Sequence, residues 1–227
     1  MAMKEILAAY DSAEFAAERR LGMTIADDDP NRALVLDWAA GASGTILDVG
    51  SATGRWAALL TAHGHEVEGI EPAARLREMA LQVHPQIPFH DATVADLPGM
   101  GLKFGAVFAW YSLIHMGPDE LPGALKTLRA VTEDGGGLLM SFYSGARQAP
   151  MPHPATTAYR WPLADITELL AGAGFAVTSS YWHRPDPPAH LTAVAVTPGQ
   201  AAPIPPAPPA EQSRWGAGTG LGGAIPH

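Results

Sequence analysis

From residue 45 onward the chain alternates strand-like apolar runs with helix-like amphipathic ones, and this alternation constrains the fold more than any other feature. Residues 45–49 (T-I-L-D-V) stop at Gly50, and residues 55–62 then read as a helix closed by Gly64, a position suited to a left-handed C-cap. A second run, 66–70, leads into Glu71-Pro72, where the next helix starts; Leu76, Met79, Ala80 and Val83 mark its buried face. Runs at 87–90 and 104–110 continue the series, and a helix spans 118–131. A glycine turn at 134–137 leads into the strand 138–142, and a further helix covers 163–173. Parallel neighbours need a long crossover, which these helices supply. The end of the series breaks the rule. Residues 175–182 and 191–196 are separated only by a Pro-rich loop, so that pair must be antiparallel. The expectation is an α/β fold with a mostly parallel sheet and an antiparallel pair at one end.

The flanks read differently. Residues 1–40 are helical and amphipathic, interrupted at the acidic run 27–30, and form an N-terminal lid over a domain spanning 41–197. Residues 198–227 are rich in Ala, Pro and Gly, cannot bury enough apolar area to order themselves, and read as a disordered tail; a Pro-rich recognition motif is the alternative. Residues 143–161 form a long irregular insertion, the kind of loop that compact domains keep for function.

Composition narrows the function. A net charge of −9 without any Lys/Arg cluster argues against a nucleic-acid partner and for a small molecule. No apolar run approaches the ~20 residues of a membrane-spanning helix, and the N-terminus lacks a signal peptide's apolar core. No membrane partner and a cytoplasmic location are therefore expected. The absence of cysteine excludes disulfides, thiolate metal sites and a cysteine nucleophile. His63, His65 and His84 fall at helix ends, His183, Arg184 and His190 flank the last loop as turn residues, and no histidine spacing suggests a metal site.

The chemistry concentrates after the first strand. Gly50-Ser51-Ala52-Thr53-Gly54 joins a strand's end to a helix's start, and small residues there let a ligand approach the backbone. About 20 residues on, Glu71 ends the second strand, where an acid can accept hydrogen bonds from ribose hydroxyls. A solvated carboxylate at a helix start is the plainer reading of Glu71. A nicotinamide dinucleotide is disfavoured because G-x-G-x-x-G is absent.

The ordered series D-V-G-S-A-T-G-R-W, G-I-E-P, H-D-A-T and F-A-W-Y-S-L-I-H-M resembles the motifs of class I S-adenosylmethionine-dependent methyltransferases of the small-molecule type, over residues 45–197. The resemblance implies a three-layer Rossmann-like fold of seven strands, in the order 3-2-1-4-5-7-6 with strand 7 antiparallel. It also implies S-adenosylmethionine as cofactor, S-adenosylhomocysteine as product, and no metal. Asp48 and the loop Gly50, Ser51, Ala52, Thr53 and Gly54 match the motif that holds the cofactor's methionine part. Glu71, with Pro72 after it, matches the ribose-binding acid, and Asp91, Ala92 and Thr93 match the edge of the adenine pocket. Trp110 and Tyr111 match the segment lining the methionine and the acceptor. The Y-D-x-A-E-F pattern beginning at Tyr10 resembles the N-terminal helix that closes over the cofactor. One departure is Ala52 in place of a glycine, which fits comfortably if its φ is negative.

Methyl transfer from a sulfonium is an in-line displacement, so positioning matters more than acid–base chemistry. A base is needed only where the acceptor must lose a proton. His115 at the rim of the fourth strand is one candidate; a structural histidine bonded to the following turn is the other reading. Tyr111 stands beside it as a second catalytic candidate, better suited to a wall than to a base. In the insertion, Tyr143, Arg147, His153, Tyr159 and Arg160 are candidate acceptor-binding residues, and the arginines suggest an acceptor carrying a carboxylate or phosphate. Surface arginines paired with nearby acids are the alternative. At the level of the whole chain, a non-catalytic protein that only binds S-adenosylmethionine or S-adenosylhomocysteine, as a sensor or assembly partner, is the competing function.

Overall fold

The structure is a computed structural model, and it describes residues 3–12, 22–182 and 189–195. The tail 198–227, His183, Arg184 and the Ala13-Glu14-Phe15 part of the N-terminal pattern lie outside the described residues.

The helices are α1 (Met3–Tyr10), α2 (Arg32–Ala39), α3 (Arg55–Ala62), α4 (Ala74–Val83), the short α5 (Leu97–Met100), α6 (Leu121–Val131) and α7 (Leu163–Ala173). The strands are β1 (Ile46–Val49), β2 (Val67–Ile70), β3 (Phe89–His90), β4 (Phe104–Trp110), β5 (Thr132–Ser144), β6 (Ala149–Met151), β7 (Ala158–Trp161), β8 (Phe175–Trp182) and β9 (Ala189–Ala195). Strands β3, β2, β1, β4 and β5 lie side by side and parallel; β9 then pairs antiparallel with β5, and β8 with β9. Counting only these seven, the order is the expected 3-2-1-4-5-7-6, with the last strand reversed.

Alternation along the strands explains the three layers. Leu47, Val49, Val107, Ala109, Leu138 and Met140 point to one face, where Leu121, Leu125 and Leu128 of α6 and Ile166 and Leu170 of α7 cover them. Ile46, Ala106, Phe108 and Leu139 point to the other, against Val35 and Ala39 of α2, Trp56 and Leu60 of α3, and Ala80 of α4. A sheet buried on both faces suits the near-continuous apolar runs of its strands.

Two expectations need correction. The region 143–161 is not irregular: β6 and β7 form a hairpin whose second strand pairs parallel with β5 at Tyr143 and Ser144. Pro150, Pro152 and Pro154 hid it, because proline argues against a strand. β6 is an edge strand, where Pro150 leaves no ladder bond unmade. The glycine turn at 134–137 is likewise an irregularity inside one long strand. Thr132 already pairs with Phe104 before the register shifts and resumes at Gly137 opposite Ala106. Gly64, by contrast, adopts the left-handed conformation expected of it, with φ at +90°.

Candidate active site

The glycine loop leaves β1 in a run of left-handed turns. Gly50, Ala52 and Gly54 have φ of +65°, +51° and +74°. Ala52 thus takes the conformation of the glycine it replaces, against the negative φ that would have suited it. A left-handed alanine costs on the order of 1 kcal/mol. The turn aims its N–H at Glu71, and that bond to Oε2 is 2.8 Å long. A hydrogen bond to a buried carboxylate contributes ~1.5–3 kcal/mol, enough to hold the strained residue in place. Gly50 is needed for a different reason: a Cβ there would sit 2.6 Å from Cβ of Ser112.

Glu71 is not solvated. It is 5% exposed, and its second oxygen accepts the Ala73 N–H at 2.8 Å. Burial pushes its carboxyl up, while these two amides and Arg77 pull it down. Asp48, 3% exposed on β1, is raised to about 7, first by burial and then by the Glu71 charge. Its Oδ2 is buried without a hydrogen-bond partner, as are Oγ of Ser51 and Oγ of Ser112. Three orphaned polar atoms around one strained loop make a place built for a polar ligand. Ser112 lies inside the quoted W-Y-S-L-I-H run, yet nothing in its spacing singled it out.

Beyond β2 the motif residues spread apart. Arg77 bridges Asp91 at 2.9 Å and donates to the Glu71 carbonyl, tying β3's exit to α4. Thr93 caps the 3-10 turn Val94–Asp96 through the Asp96 carboxylate, which holds Asp96 below its ordinary range. Ala92 is buried in the core beside Val94.

At the end of β4, Trp110 and Tyr111 meet edge to face, with centroids 5.8 Å apart, and reach different further partners. Trp110 stacks on Phe108 with centroids 5.5 Å apart and leans on Trp56. Tyr111 has a left-handed φ of +53°, its N–H bonded to Ser141 Oγ at 2.7 Å. Its ring meets Tyr143 at 5.4 Å. His115 follows, 5% exposed, with its ring 5.0 Å from that of His153 and near Tyr10 of α1. Four separate segments thereby bring Tyr10, Tyr111, His115, Tyr143 and His153 into one cluster. Burial pushes the Tyr10 and Tyr111 phenols well above their ordinary range, so neither is a base near neutral pH. Burial lowers His115, leaving it neutral there. The remaining insertion residues stand further out. Tyr159 packs on Gly117 and the core, and Arg147 and Arg160 are exposed, Arg160 opposite Tyr143 in the register. His190 lies on β9 in register with Ser141.

The N-terminal segment meets the loop as well as the cluster. Thr53 Oγ1 donates to the Gly22 carbonyl at 2.7 Å, and Asp11 accepts the Arg75 N–H at the start of α4. Among the described residues no group of three His, Asp or Glu is arranged to hold a metal ion, and no helix is long and apolar enough to cross a membrane.

A family model described as a methyltransferase domain matches residues 18–180. The chain belongs to the class I S-adenosylmethionine-dependent methyltransferases. Its fold is similar to solved methyltransferases. The 1,6-didemethyltoxoflavin-N1-methyltransferase of Burkholderia thailandensis, solved with 1,6-didemethyltoxoflavin and S-adenosylhomocysteine, aligns at a TM-score of 0.66. That pair is 20% identical, over 87% of this chain and 92% of that one. The magnesium protoporphyrin IX methyltransferase of Synechocystis, solved with S-adenosylmethionine, aligns at 0.65 with 19% identity, over 85% and 98%. Among curated sequences, O-methyltransferase resE of Aspergillus sclerotiorum is 28% identical over 68% of this methyltransferase chain. An uncharacterized methyltransferase of Oceanobacillus iheyensis is 28% identical over 40% of it. The matches span 63% and 43% of those two relatives.

Proposed function

We propose that this chain transfers a methyl group from S-adenosylmethionine to a small-molecule acceptor bound in the ring cluster, releasing S-adenosylhomocysteine. The observation that carries the reading is Tyr10: it bonds His115 on one side and lies within electrostatic reach of the Glu71 carboxylate on the other. The glycine-loop site and the cluster therefore share a border.

The residues present fit the cofactor. Asp48 Oδ2, Ser51 Oγ and Ser112 Oγ lack partners and suit the polar methionine end, while Glu71 has oxygen lone pairs left for a ribose diol. Asp91, Ala92 and Thr93 would edge the adenine. When bound, S-adenosylmethionine supplies an electrophilic methyl on a sulfonium. The chain's own residues then position and exclude water. Tyr111 and Tyr143 wall the acceptor, His115 accepts its proton, and α1 and the segment beginning at Gly22 shield the junction through Tyr10 and the Thr53–Gly22 bond.

The acceptor also carries an anionic group in this reading, met by Arg160 at the exposed rim beside Tyr143 and by Arg147 further out. Crystals soaked in sulfate or phosphate test that part; no anion beside either arginine at high concentration counts against it. The main reading is tested by calorimetry with S-adenosylhomocysteine, followed by transfer of labelled methyl into a metabolite extract. Binding with transfer supports it. Binding without transfer leaves a non-catalytic cofactor-binding protein, and no binding overturns both.

A further inference from the structure

His115 has two ring nitrogens, and both are committed. Nδ1 lies 2.7 Å from the Thr157 carbonyl oxygen, which can only accept, so Nδ1 carries the proton. Nε2 is therefore a lone pair. It sits 2.8 Å from the Tyr10 hydroxyl, which donates to it. One in-plane lone pair cannot take the hydroxyl of Tyr10 and that of an acceptor together. A base used on an acceptor must first be released.

The group on the base is itself informative. It is a phenol, set edge-on to the imidazole at 5.6 Å between centroids, in a cluster whose other members are also rings. The helix that delivers it, α1, has no fully buried residue, and Tyr10 itself is only partly buried. A helix that short is marginal alone, so its docking can be undone without disturbing the core.

We propose that the Tyr10 phenol is an internal stand-in for the acceptor, which is a flat ring bearing an acidic hydroxyl, a phenol or an enol, and which displaces Tyr10 from His115 Nε2. The proposal rests on the methyltransferase reading above. Three features set the chemical class. The acceptor presents an O–H because the lone pair is already arranged to receive one. It is flat because a run of rings leads away from the base: His153 meets His115, Tyr143 meets His153 and Tyr111 meets Tyr143. It is acidic because His115 is steadied by a neutral carbonyl; no described carboxylate is hydrogen-bonded to it, and burial disfavours its cationic form. A base of that kind suits a phenol or enol and is a poor match for an aliphatic alcohol. In the step, the acceptor's proton passes to Nε2 and its oxygen forms the new O–CH3 bond. The methyl–sulfur bond breaks with its electron pair staying on sulfur, so the positive charge of the sulfonium reappears on the imidazolium.

The test uses full-length protein saturated with S-adenosylhomocysteine and titrated with three flat probes: 4-nitrophenol, 4-nitrobenzyl alcohol and 4-nitroaniline. Tyr10→Phe should bind 4-nitrophenol about fivefold tighter, the worth of one neutral hydrogen bond that no longer has to be displaced. The alcohol and the aniline should change by less than about twofold, since neither competes as an acidic O–H for the lone pair. The gain should vanish when Tyr10→Phe is made on His115→Leu, which has similar bulk and no acceptor atom; S-adenosylhomocysteine binding and thermal melting check that each variant is folded. Weaker 4-nitrophenol binding in Tyr10→Phe, or equal gains for all three probes, overturns the proposal, because Tyr10 is then a wall. S-adenosylhomocysteine binding without 4-nitrophenol binding overturns the acceptor class alone. Loss of both removes the methyltransferase reading as well.

Discussion

The glycine-loop end of the sheet and the ring cluster at the ends of β4 and β5 are built on opposite plans. The first is made of backbone: left-handed turns at residues 50, 52 and 54, amide N–H groups on a buried carboxylate, and polar atoms with nothing to bond. The second is made of side chains from four segments that meet only in the folded chain, and both ring nitrogens of His115 and the Tyr10 hydroxyl already have partners. A site of fixed amides does not depend on which side chains it carries, whereas a site of side-chain rings changes with every substitution. The contrast separates an end fixed by backbone from an end set by side chains.

The largest effect should come from Glu71→Ala. It removes the acceptor of two amides and the acid facing the proposed ribose, so S-adenosylhomocysteine affinity should fall by about 100-fold or more in calorimetry. A loss below about tenfold, little more than one hydrogen bond's worth, would break the assignment of that end to the cofactor. His115→Leu should act on the other end only: labelled-methyl transfer falls by about 100-fold while S-adenosylhomocysteine affinity stays within about twofold. Equal damage to both quantities would mean that the two ends are one site.

Asp48 sharpens the contrast through pH. Its folded pKa of about 7 exceeds the ordinary 3.8, so the folded form holds a proton that the unfolded chain has lost between those values. Ligand-free stability should then decline as pH rises through that window and level off above it. Asp48→Asn should melt about 10 °C above the parent at pH 8 and close to it at pH 4. An unchanged difference across that range would show that the carboxylate is not strained by burial. The smallest effect belongs to Ala52→Gly, which relieves the left-handed strain and should add about 1 kcal/mol of stability in denaturant melts. Destabilisation would mean that the unfolded-chain entropy of glycine outweighs the strain.

The sequence made the glycine-loop end readable because its parts follow local rules. A strand ending in small residues, and an acid about one βα unit on, are spacings along the chain. The seven-strand order came with the resemblance, and the antiparallel pair was readable from a loop too short for a crossover. What stayed hidden depends on three-dimensional contact. Ser112 matters because Gly50 packs on it, and Tyr10 reaches a residue 105 positions away. The sign of φ at Ala52 could not be read from the residue type, since the Glu71 bond that selects it forms only after β2 is in place. The β6–β7 hairpin was masked by its prolines, which suit an edge strand but look like a coil.

Strand β5 serves two masters in succession. Gly137 to Phe142 ladder with β9, and the next two residues, Tyr143 and Ser144, ladder with β7. The handover falls between adjacent residues, and the second half of the hairpin is tied in further: Tyr159 N–H donates to the Ile114 carbonyl, the Thr157 carbonyl meets His115 Nδ1, and Ala158 and Trp161 are buried. Evolution or an engineer can therefore vary residues 145–156 to retune which molecules are admitted, while residues 157–161 keep their hold on His115 and the core and the strands that carry the loop and its acids keep their pairing.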